Sequence, residues 1–293
     1  MALSIHTNYS ALVTQTNLNK TNGQLSTNQQ RLGTGLRINS AADDAAGLQI
    51  ATRLNAQSRG MDVAMRNTGD AISMLQTAEG AFSEMTDILQ RMKDLSTQGA
   101  NGTNAAADLT ALQGEYDELG KELSNIIKNT SYAGAKLFSD GTVVTGANGK
   151  LSAAVNFQIG STAAETLAMN VSAKLTTLAT ALGNASDTYT TPGTPGVEIT
   201  GGANANITVV NTALDAVAAL RADFGANINR LNHTANNLAN MKDNTDMAKG
   251  RIMDADFAKE SANMSKNSML MQSGISMLKQ AGQMPGMVMS LLG

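Results

Sequence analysis

The sequence predicts a mainly α-helical protein, built as a long antiparallel helical or coiled-coil bundle with its terminal helices paired and a small β-hairpin region in the middle. Apolar residues recur in alternating steps of three and four over most of the chain, the repeat of long packed helices. In the central part this repeat is replaced by frequent Gly and a period of two. Charged residues make up only 15% of the chain and aromatic residues 3%, which is low for an ordinary globular domain.

Residues 1–40 are predicted to form an N-terminal assembly helix. Between its apolar positions lie mostly Asn, Thr, Gln and Ser, which favour helices weakly, so this helix needs a partner to be stable. Gly33 and Gly35 are expected to end it. Asp43 and Asp44 are expected in the first turn of the next helix, where carboxylates are favourable.

Residues 41–182 are predicted to be the N-terminal part of a helical rod domain. Its longest helix is expected from about residue 42 to residue 98, and a turn at 101–104 leads into a second helix over 109–130. The short connection predicts that these two helices lie antiparallel. After them, a β-hairpin is expected near 155–171, because two short segments there alternate at period two around a turn.

The rest of the rod domain is predicted to return along the first helices. Residues 183–206 contain Pro192, Pro195 and several Gly, Thr and Asn residues, so a short variable surface loop is expected there. Residues 207–252 resume the steps of three and four and are predicted to form one long helix.

Residues 253–293 are predicted to form a C-terminal assembly helix, with a kink or a new helix start at Pro285. Its apolar stripe is narrow, so the stripe must be buried against other helices. An amphipathic helix folded on its own domain is the alternative. The predicted seam combines the apolar positions of both terminal segments: Ile5, Leu12, Leu18, Leu25, Leu32, Phe257, Met264, Met271, Ile275, Leu278, Val288 and Leu292.

Composition excludes several classes of function. A net charge of −3 and a pI near 5.4 provide no electrostatic reason to bind nucleic acid or an acidic membrane. The absence of Cys excludes disulfides, a thiol nucleophile and Cys-ligated metals. His6 and His233 have no ligand-spaced neighbours, so no metal site or cofactor is expected. No secretory signal and no membrane-spanning run is recognisable.

Both ends of the chain carry a family resemblance. Residues 32–48 read LGTGLRINSAADDAAGL, and the C-terminal part contains RIMDADF at 251–257, NMS at 263–265 and SLL at 290–292. These resemble the N-terminal and C-terminal signatures of bacterial flagellin. The beginning of the chain and its short centre are similar to compact, lateral-type members.

The resemblance implies a structural subunit that polymerises into the extracellular flagellar filament and has no enzymatic activity. It implies unfolded export through the flagellar secretion apparatus with a chaperone, and contact with hook-associated and cap proteins. A hook–filament junction protein of the same apparatus would share the terminal helices and is the main alternative. A secreted enzyme with flagellin-like ends would need a catalytic motif in residues 139–206, where none is recognisable.

One more partner follows from the resemblance alone. The stretch around Leu89, Gln90, Arg91 and Leu95 resembles the segment that animal innate immune receptors recognise in many flagellins, and Glu115 lies at the matching place on the next helix. Met92 and Lys93 depart from the commonest version of this segment. The steps of three and four also place Leu89 in the buried seam, whether or not a receptor binds here.

Overall fold

The structure, a computed structural model, describes residues 8–140 and 148–292. Its α-helices and β-strands within these ranges are α1 (Tyr9–Thr34), α2 (Ala45–Gly99), α3 (Ala106–Asn129), β1 (Ser131–Tyr132), β2 (Ala135–Lys136), β3 (Val155–Gln158), β4 (Thr166–Met169), α4 (Ser172–Ala185), α5 (Asp187–Thr190), α6 (Glu198–Met253) and α7 (Phe257–Leu292), and a short 3-10 helix lies at Lys150–Ser152. The prediction of a mainly α-helical chain with a central hairpin is confirmed. No new helix starts at Pro285, because α7 continues to Leu292.

The chain divides into two compact units. One contains the residues up to Ser58 together with those from Asp243 onward, and the other is Arg59–Lys242. The sequence-based domain limits were 40/41 and 252/253, so the first unit also takes in the beginning of α2 and the end of α6. Both α2 and α6 continue without interruption from one unit into the other. The apolar repeat is therefore not interrupted where the units divide, and the sequence repeat cannot locate the division.

Within the second unit, α2 and α6 run antiparallel. Lys242 Nζ lies 3.3 Å from Asp62 Oδ1, Arg221 Nη2 lies 2.8 Å from Glu79 Oε1, and farther along, Asn206 Nδ2 donates to Ser96 Oγ (3.1 Å). Residue numbers that rise along α2 therefore meet numbers that fall along α6. This arrangement confirms the predicted antiparallel bundle.

The core of this unit is built from the stripe that the steps of three and four predict. Buried positions on α2 recur at that spacing: Met61, Ala64, Thr68, Ala71, Leu75, Ala78, Phe82, Met85, Leu89 and Met92. The Phe82 ring lies 4.8 Å from the ring centroid of Phe138 and 5.5 Å from that of Phe224. Such aromatic pairs bury large apolar areas, so this cluster ties α2 to α6 and to the segment after β2.

The predicted hairpin is β3 and β4, which pair antiparallel with Phe157 opposite Leu167. It lies against α2, where Asn67 Nδ2 donates to Gln158 O (3.2 Å). A Cβ added at Gly60 would lie 2.8 Å from Ser161 Cβ, so the turn of the hairpin requires a glycine on the helix. A second tight hairpin, β1–β2, was not predicted.

The surface loop predicted for residues 183–206 is corrected by the structure. This region contains the end of α4, all of α5 and the first turns of α6. Ser186, Thr188, Tyr189, Ile199 and Asn206 are buried there. The prediction relied on prolines and glycines, whereas packing against α3 decides the conformation.

Side chains of α3 hold this region through buried polar contacts. Gln113 Oε1 accepts from Ile199 N (2.7 Å), and its Nε2 donates to Asp117 Oδ1 (2.8 Å) and Glu198 Oε2 (2.7 Å). Tyr116 Oη donates to Ala185 O (2.6 Å), and burial raises the pKa of this phenol above its ordinary value. These contacts stabilise a helix start that the local sequence alone does not favour.

Candidate assembly surface

The terminal helices α1 and α7 pair antiparallel within the chain, as predicted. Near one end of the pair, Asn8 Nδ2 donates to Ala281 O (2.6 Å). Near the other end, Arg31 Nη1 lies 3.2 Å from Glu260 Oε1. Together these contacts define one register over nearly the whole length of α1.

Six of the twelve residues of the predicted seam lie half-buried along this pair: Leu18, Leu25, Leu32, Met264, Met271 and Leu278. The sequence analysis expected the tail's stripe to be buried against other helices. The structure places this part of it along the pairing of the two terminal helices of one chain. An apolar stripe at period seven indicates a helix partner but does not say which chain supplies it.

Three other residues of the predicted seam are exposed. Leu12, Phe257 and Ile275 are 60%, 59% and 42% exposed. Additional large apolar side chains are exposed on the same two helices: Tyr9, Val13, Met269, Leu270 and Met277. Ile5 lies outside the described residues, as do the side chains of Val288 and Leu292. We call the eight exposed residues the exposed apolar surface, and such a concentration marks a site of interaction.

The junction between α1 and α2 lies against the junction between α6 and α7. Leu36 and Asp254 form an antiparallel bridge, in which Arg37 N donates to Met253 O (2.6 Å) and Ala255 N to Gly35 O (2.9 Å). The Arg37 guanidinium also donates to the carbonyl oxygen of Ile252 (2.9 Å). The two conspicuous sequence stretches, 32–48 and 251–257, therefore lie together.

The aspartates of these stretches stabilise turns and helix starts. Asp43 Oδ2 accepts from the backbone N–H groups of Ser40 (2.8 Å) and Asn39 (3.0 Å), and these bonds hold its pKa below the ordinary value. Asp44 Oδ1 accepts from Gly47 N (2.8 Å) at the start of α2. Asp256 Oδ1 accepts from two backbone N–H groups at the start of α7. All three therefore have structural partners. Asp43 and Asp44 precede the first residue of α2, so the prediction that they lie in the first turn of that helix is wrong.

Gly47 shows how closely this junction is packed. A Cβ added there would lie 2.5 Å from Asp44 Oδ2 and 2.8 Å from Ile38 Cδ1. Ile38 is itself buried. Only glycine fits between the helix cap and this side chain.

The stretch that resembles a receptor-recognised segment is on α2, facing α3. Arg91 Nη2 lies 2.7 Å from Glu115 Oε1, with the two side chains 52% and 45% exposed. Gln90 is exposed as well. Leu89 and Leu95 are fully buried, which corrects their expected role: they can position the helix, but they do not reach a partner of the folded subunit.

Within residues 8–140 and 148–292, no three His, Asp or Glu side chains are placed so that they could hold a metal ion. In the same part of the chain, none of the helices combines the length and apolar character needed to cross a bilayer.

The sequence analysis missed a group of buried polar residues in the α1–α7 pair. Asn28, Glu260 and Asn267 are each only 8% exposed. The signal was present, because Asn28 and Asn267 fall on the same steps of three and four as the apolar residues. Polar residues at such positions are easily mistaken for interruptions of the stripe.

Comparisons with known proteins agree with the resemblance of both ends. The family model described as bacterial flagellin N-terminal helical region matches residues 5–142, and the bacterial flagellin C-terminal helical region matches residues 207–292. Flagellin A of Vibrio anguillarum is 37% identical over 378 aligned positions, and flagellin A of Vibrio cholerae is 35% identical over 388 positions; each alignment covers all of both chains. This chain has 293 residues, so parts of these relatives have no counterpart in it.

One solved structure adds a likeness of fold alone. It is named as a candidate flagellar hook-associated protein of Vibrio parahaemolyticus and has a TM-score of 0.55 and 16% identity, covering 72% of this chain and all of that chain. At this identity the likeness concerns architecture and does not transfer a role.

Proposed function

The chain belongs to the bacterial flagellin family and is a structural filament subunit rather than an enzyme, and we propose that it polymerises through α1 and α7. The observation that supports this proposal is the exposed apolar surface on those two helices. The occupant of this surface is a second copy of the chain. Each large apolar side chain that becomes fully buried contributes about 1.5–3 kcal/mol, and this gain offsets the translational and rotational freedom that subunits lose on association.

The proposed place of the protein is the extracellular flagellum. The proposed partners follow from family membership: the flagellar export apparatus with its chaperone, and the hook-associated and cap proteins at the ends of the filament. None of these requires nucleic acid binding or membrane insertion, in agreement with the weak net charge.

A hook–filament junction protein is the second candidate function. Its support is a likeness of fold to the chain named as a candidate hook-associated protein. The two functions differ in whether subunits add repeatedly. Purified protein added to flagellin seeds separates them: a filament subunit lengthens the seeds in proportion to the protein supplied. A junction protein would add once and stop.

The assembly experiment places a charge on the exposed apolar surface. Leu12→Lys and Ile275→Lys should each leave the thermal melt of the monomer nearly unchanged, because both side chains are exposed. Each should slow elongation from seeds, since an unpaired charge is costly to bury. Elongation is followed by light scattering and filament length by electron microscopy.

The matched control is Ser276→Lys. Ser276 is exposed, and the residues three and four positions away from it on α7 are Gln272, Ser273, Lys279 and Gln280, none of which belongs to the exposed apolar surface. It should elongate normally, because a lysine is already tolerated on that face. Normal elongation by both apolar-to-lysine variants would contradict the proposed surface.

A second binding role is proposed for the exposed Arg91–Glu115 pair. This pair, with Gln90 beside it, offers an animal innate immune receptor a charged surface held in place by the buried Leu89 and Leu95. The support is the resemblance of this stretch together with the exposure of both charged groups.

A further inference from the structure

The most buried residues described in the α1–α7 pair are polar. Among the side chains described in these two helices, those of Asn28, Glu260 and Asn267 are the most buried, and the apolar residues of the seam are only half-buried. Burying polar groups is unfavourable unless they find partners. Their position inside the pair therefore requires an explanation other than stability.

The apolar residues cannot define the register of the pair. On α1, Leu18, Leu25 and Leu32 are spaced by seven, and on α7 so are Met264, Met271 and Leu278. Sliding one helix past the other by seven residues would bring each Leu opposite the next apolar residue along the stripe. Shifted pairings would thus retain most of the apolar contacts.

The polar residues remove this ambiguity. Arg31 Nη1 lies 3.2 Å from Glu260 Oε1. In the amide orientation that satisfies both of its polar atoms, Asn28 donates to Gln24 O (3.0 Å) and accepts from Met264 N (3.2 Å). A slide by seven residues would separate Glu260 from Arg31 and leave a buried carboxylate without its cation.

Small residues restrict the register further along. A Cβ added at Gly274 would lie 3.0 Å from Leu18 Cδ1, so Leu18 packs closely against this glycine and would have to move to make room for a side chain there. In a shifted register, Leu18 would meet a larger residue there. The polar contacts and this close approach specify the same alignment.

We propose that Asn28, Arg31, Glu260 and Asn267, which we call the polar layer, are specificity-determining residues of assembly. They allow α1 to pair with α7 of its own chain in one register and disfavour shifted pairing. They also disfavour pairing of α1 with α1 or of α7 with α7 between copies, in which Arg31 would not meet Glu260. This proposal rests on the proposed function, because wrong pairings arise only where many copies meet. The polar layer costs stability and provides uniqueness, as single polar residues do in coiled coils.

The test reverses the ion pair in the full-length chain. Arg31→Glu and Glu260→Arg are prepared singly and together, and elongation from wild-type seeds is measured with hydrogen exchange of α1 and α7 in the monomer. Each single variant should elongate at least about tenfold more slowly and exchange faster in both helices, because two like charges then face each other. The double variant should recover most of the elongation rate. Recovery is expected to be incomplete, since Glu260 lies in the first turn of α7 and Arg31 in the last turn of α1, where their natural charges suit the helix dipoles.

A mixture of the two single variants identifies the chain that supplies the partner. Pairing within one chain predicts that the mixture elongates as slowly as either variant alone. Recovery in the mixture would show that Arg31 meets Glu260 of another copy and would overturn the proposal.

Apolar replacement tests the claim of specificity directly. The double variant Asn28→Leu, Asn267→Leu should slow hydrogen exchange in both helices, because the apolar seam becomes continuous. The purified protein should sediment as a mixture of oligomers rather than as a monomer. A uniformly monomeric variant that elongates normally would overturn the proposal. Normal elongation by Arg31→Glu and by Glu260→Arg would also overturn the proposal. If Leu12→Lys still failed to elongate in the same assay, the proposed assembly surface would remain supported.

Discussion

At the scale of single residues, two buried serines differ in whether their hydroxyl groups have partners. Ser96 Oγ donates to Met92 O (2.8 Å) and accepts from Asn206 Nδ2 (3.1 Å). Ser124 Oγ is buried and has no hydrogen-bond partner among the described residues. A buried hydroxyl without a partner costs free energy, whereas a bonded one contributes modestly.

This difference predicts opposite effects of the same substitution. Ser124→Ala should raise the free energy of unfolding by roughly 0.5–1 kcal/mol, since it removes an unpaired polar group and favours the helix. Ser96→Ala should lower the free energy of unfolding by about 1–2 kcal/mol, because the side chain of Asn206 loses an acceptor. Urea unfolding of the purified monomer measures both. Equal effects of the two substitutions would mean that these hydroxyl contacts do not differ as described.

Another prediction at this scale concerns the exposed ion pair of α2 and α3. Exposed ion pairs contribute at most about 1 kcal/mol, so Arg91→Ala should scarcely change the melting temperature. It should nevertheless lower signalling by an innate receptor in reporter cells. Lys121→Ala, which breaks the exposed pair with Glu118 elsewhere on α3, is the control and should leave signalling unchanged. An unchanged dose response for Arg91→Ala would contradict the receptor role.

At the scale of secondary-structure elements, the periodic parts of the chain were predictable and the aperiodic part was not. Steps of three and four predicted the helices α2, α3, α6 and α7 because each buries a stripe along its length. The α4 helix also carries such a spacing in Leu175, Leu178 and Leu182, and that signal was overlooked beside the neighbouring prolines and glycines. The start of α6 could not be predicted from its own residues, since it depends on a hydrogen bond to Gln113 of α3.

The site residues show the same division. The apolar stripe of each terminal segment identified the seam residues of α1 and α7, but Leu18 and Met271 lie along their pairing whereas Leu12 and Ile275 are exposed. Neighbours on a helical stripe differ in burial because the pairing helix covers only one side of it. The sequence repeat contains no information about which side that is.

A substitution on the half-buried side should therefore affect the monomer. Leu278→Lys removes an apolar side chain from the α1–α7 pairing, and losing half of the burial of a leucine costs roughly 1 kcal/mol. Hydrogen exchange should accelerate in both helices and elongation should slow, while the melt of Arg59–Lys242 stays unchanged. Met271→Leu conserves volume and apolar character, so it is the control. Unchanged exchange in α1 would show that Leu278 does not pack on that helix.

At the scale of the whole molecule, the two units differ in how much apolar surface they bury. The large core cluster lies entirely in Arg59–Lys242. Among the described residues of the other unit, the buried apolar side chains are Ile38 and Ala51. Since apolar burial is the main favourable term in folding, the second unit should be the more stable of the two.

Limited proteolysis tests this difference. Trypsin at low concentration should first trim the monomer from both ends and leave a resistant fragment close to Arg59–Lys242, identified by mass spectrometry. Locally unfolded segments are cleaved first because they are open more often. Assembled filaments should resist such trimming. Loss of the middle fragment as fast as the terminal segments would contradict the difference in stability.

The pairing of α1 with α7 also determines the order in which the chain can fold. Arg31 and Glu260 are 229 residues apart, and Asn8 and Ala281 are 273 apart. The entropy lost in closing a loop grows with its length, so these contacts are unfavourable while the intervening chain is still unfolded. Once Arg59–Lys242 has folded, the same ends are separated by a compact structure rather than a random coil. The first helix of the chain is therefore expected to find its partner last, and a newly made subunit spends its folding time with both terminal helices free to meet an existing filament.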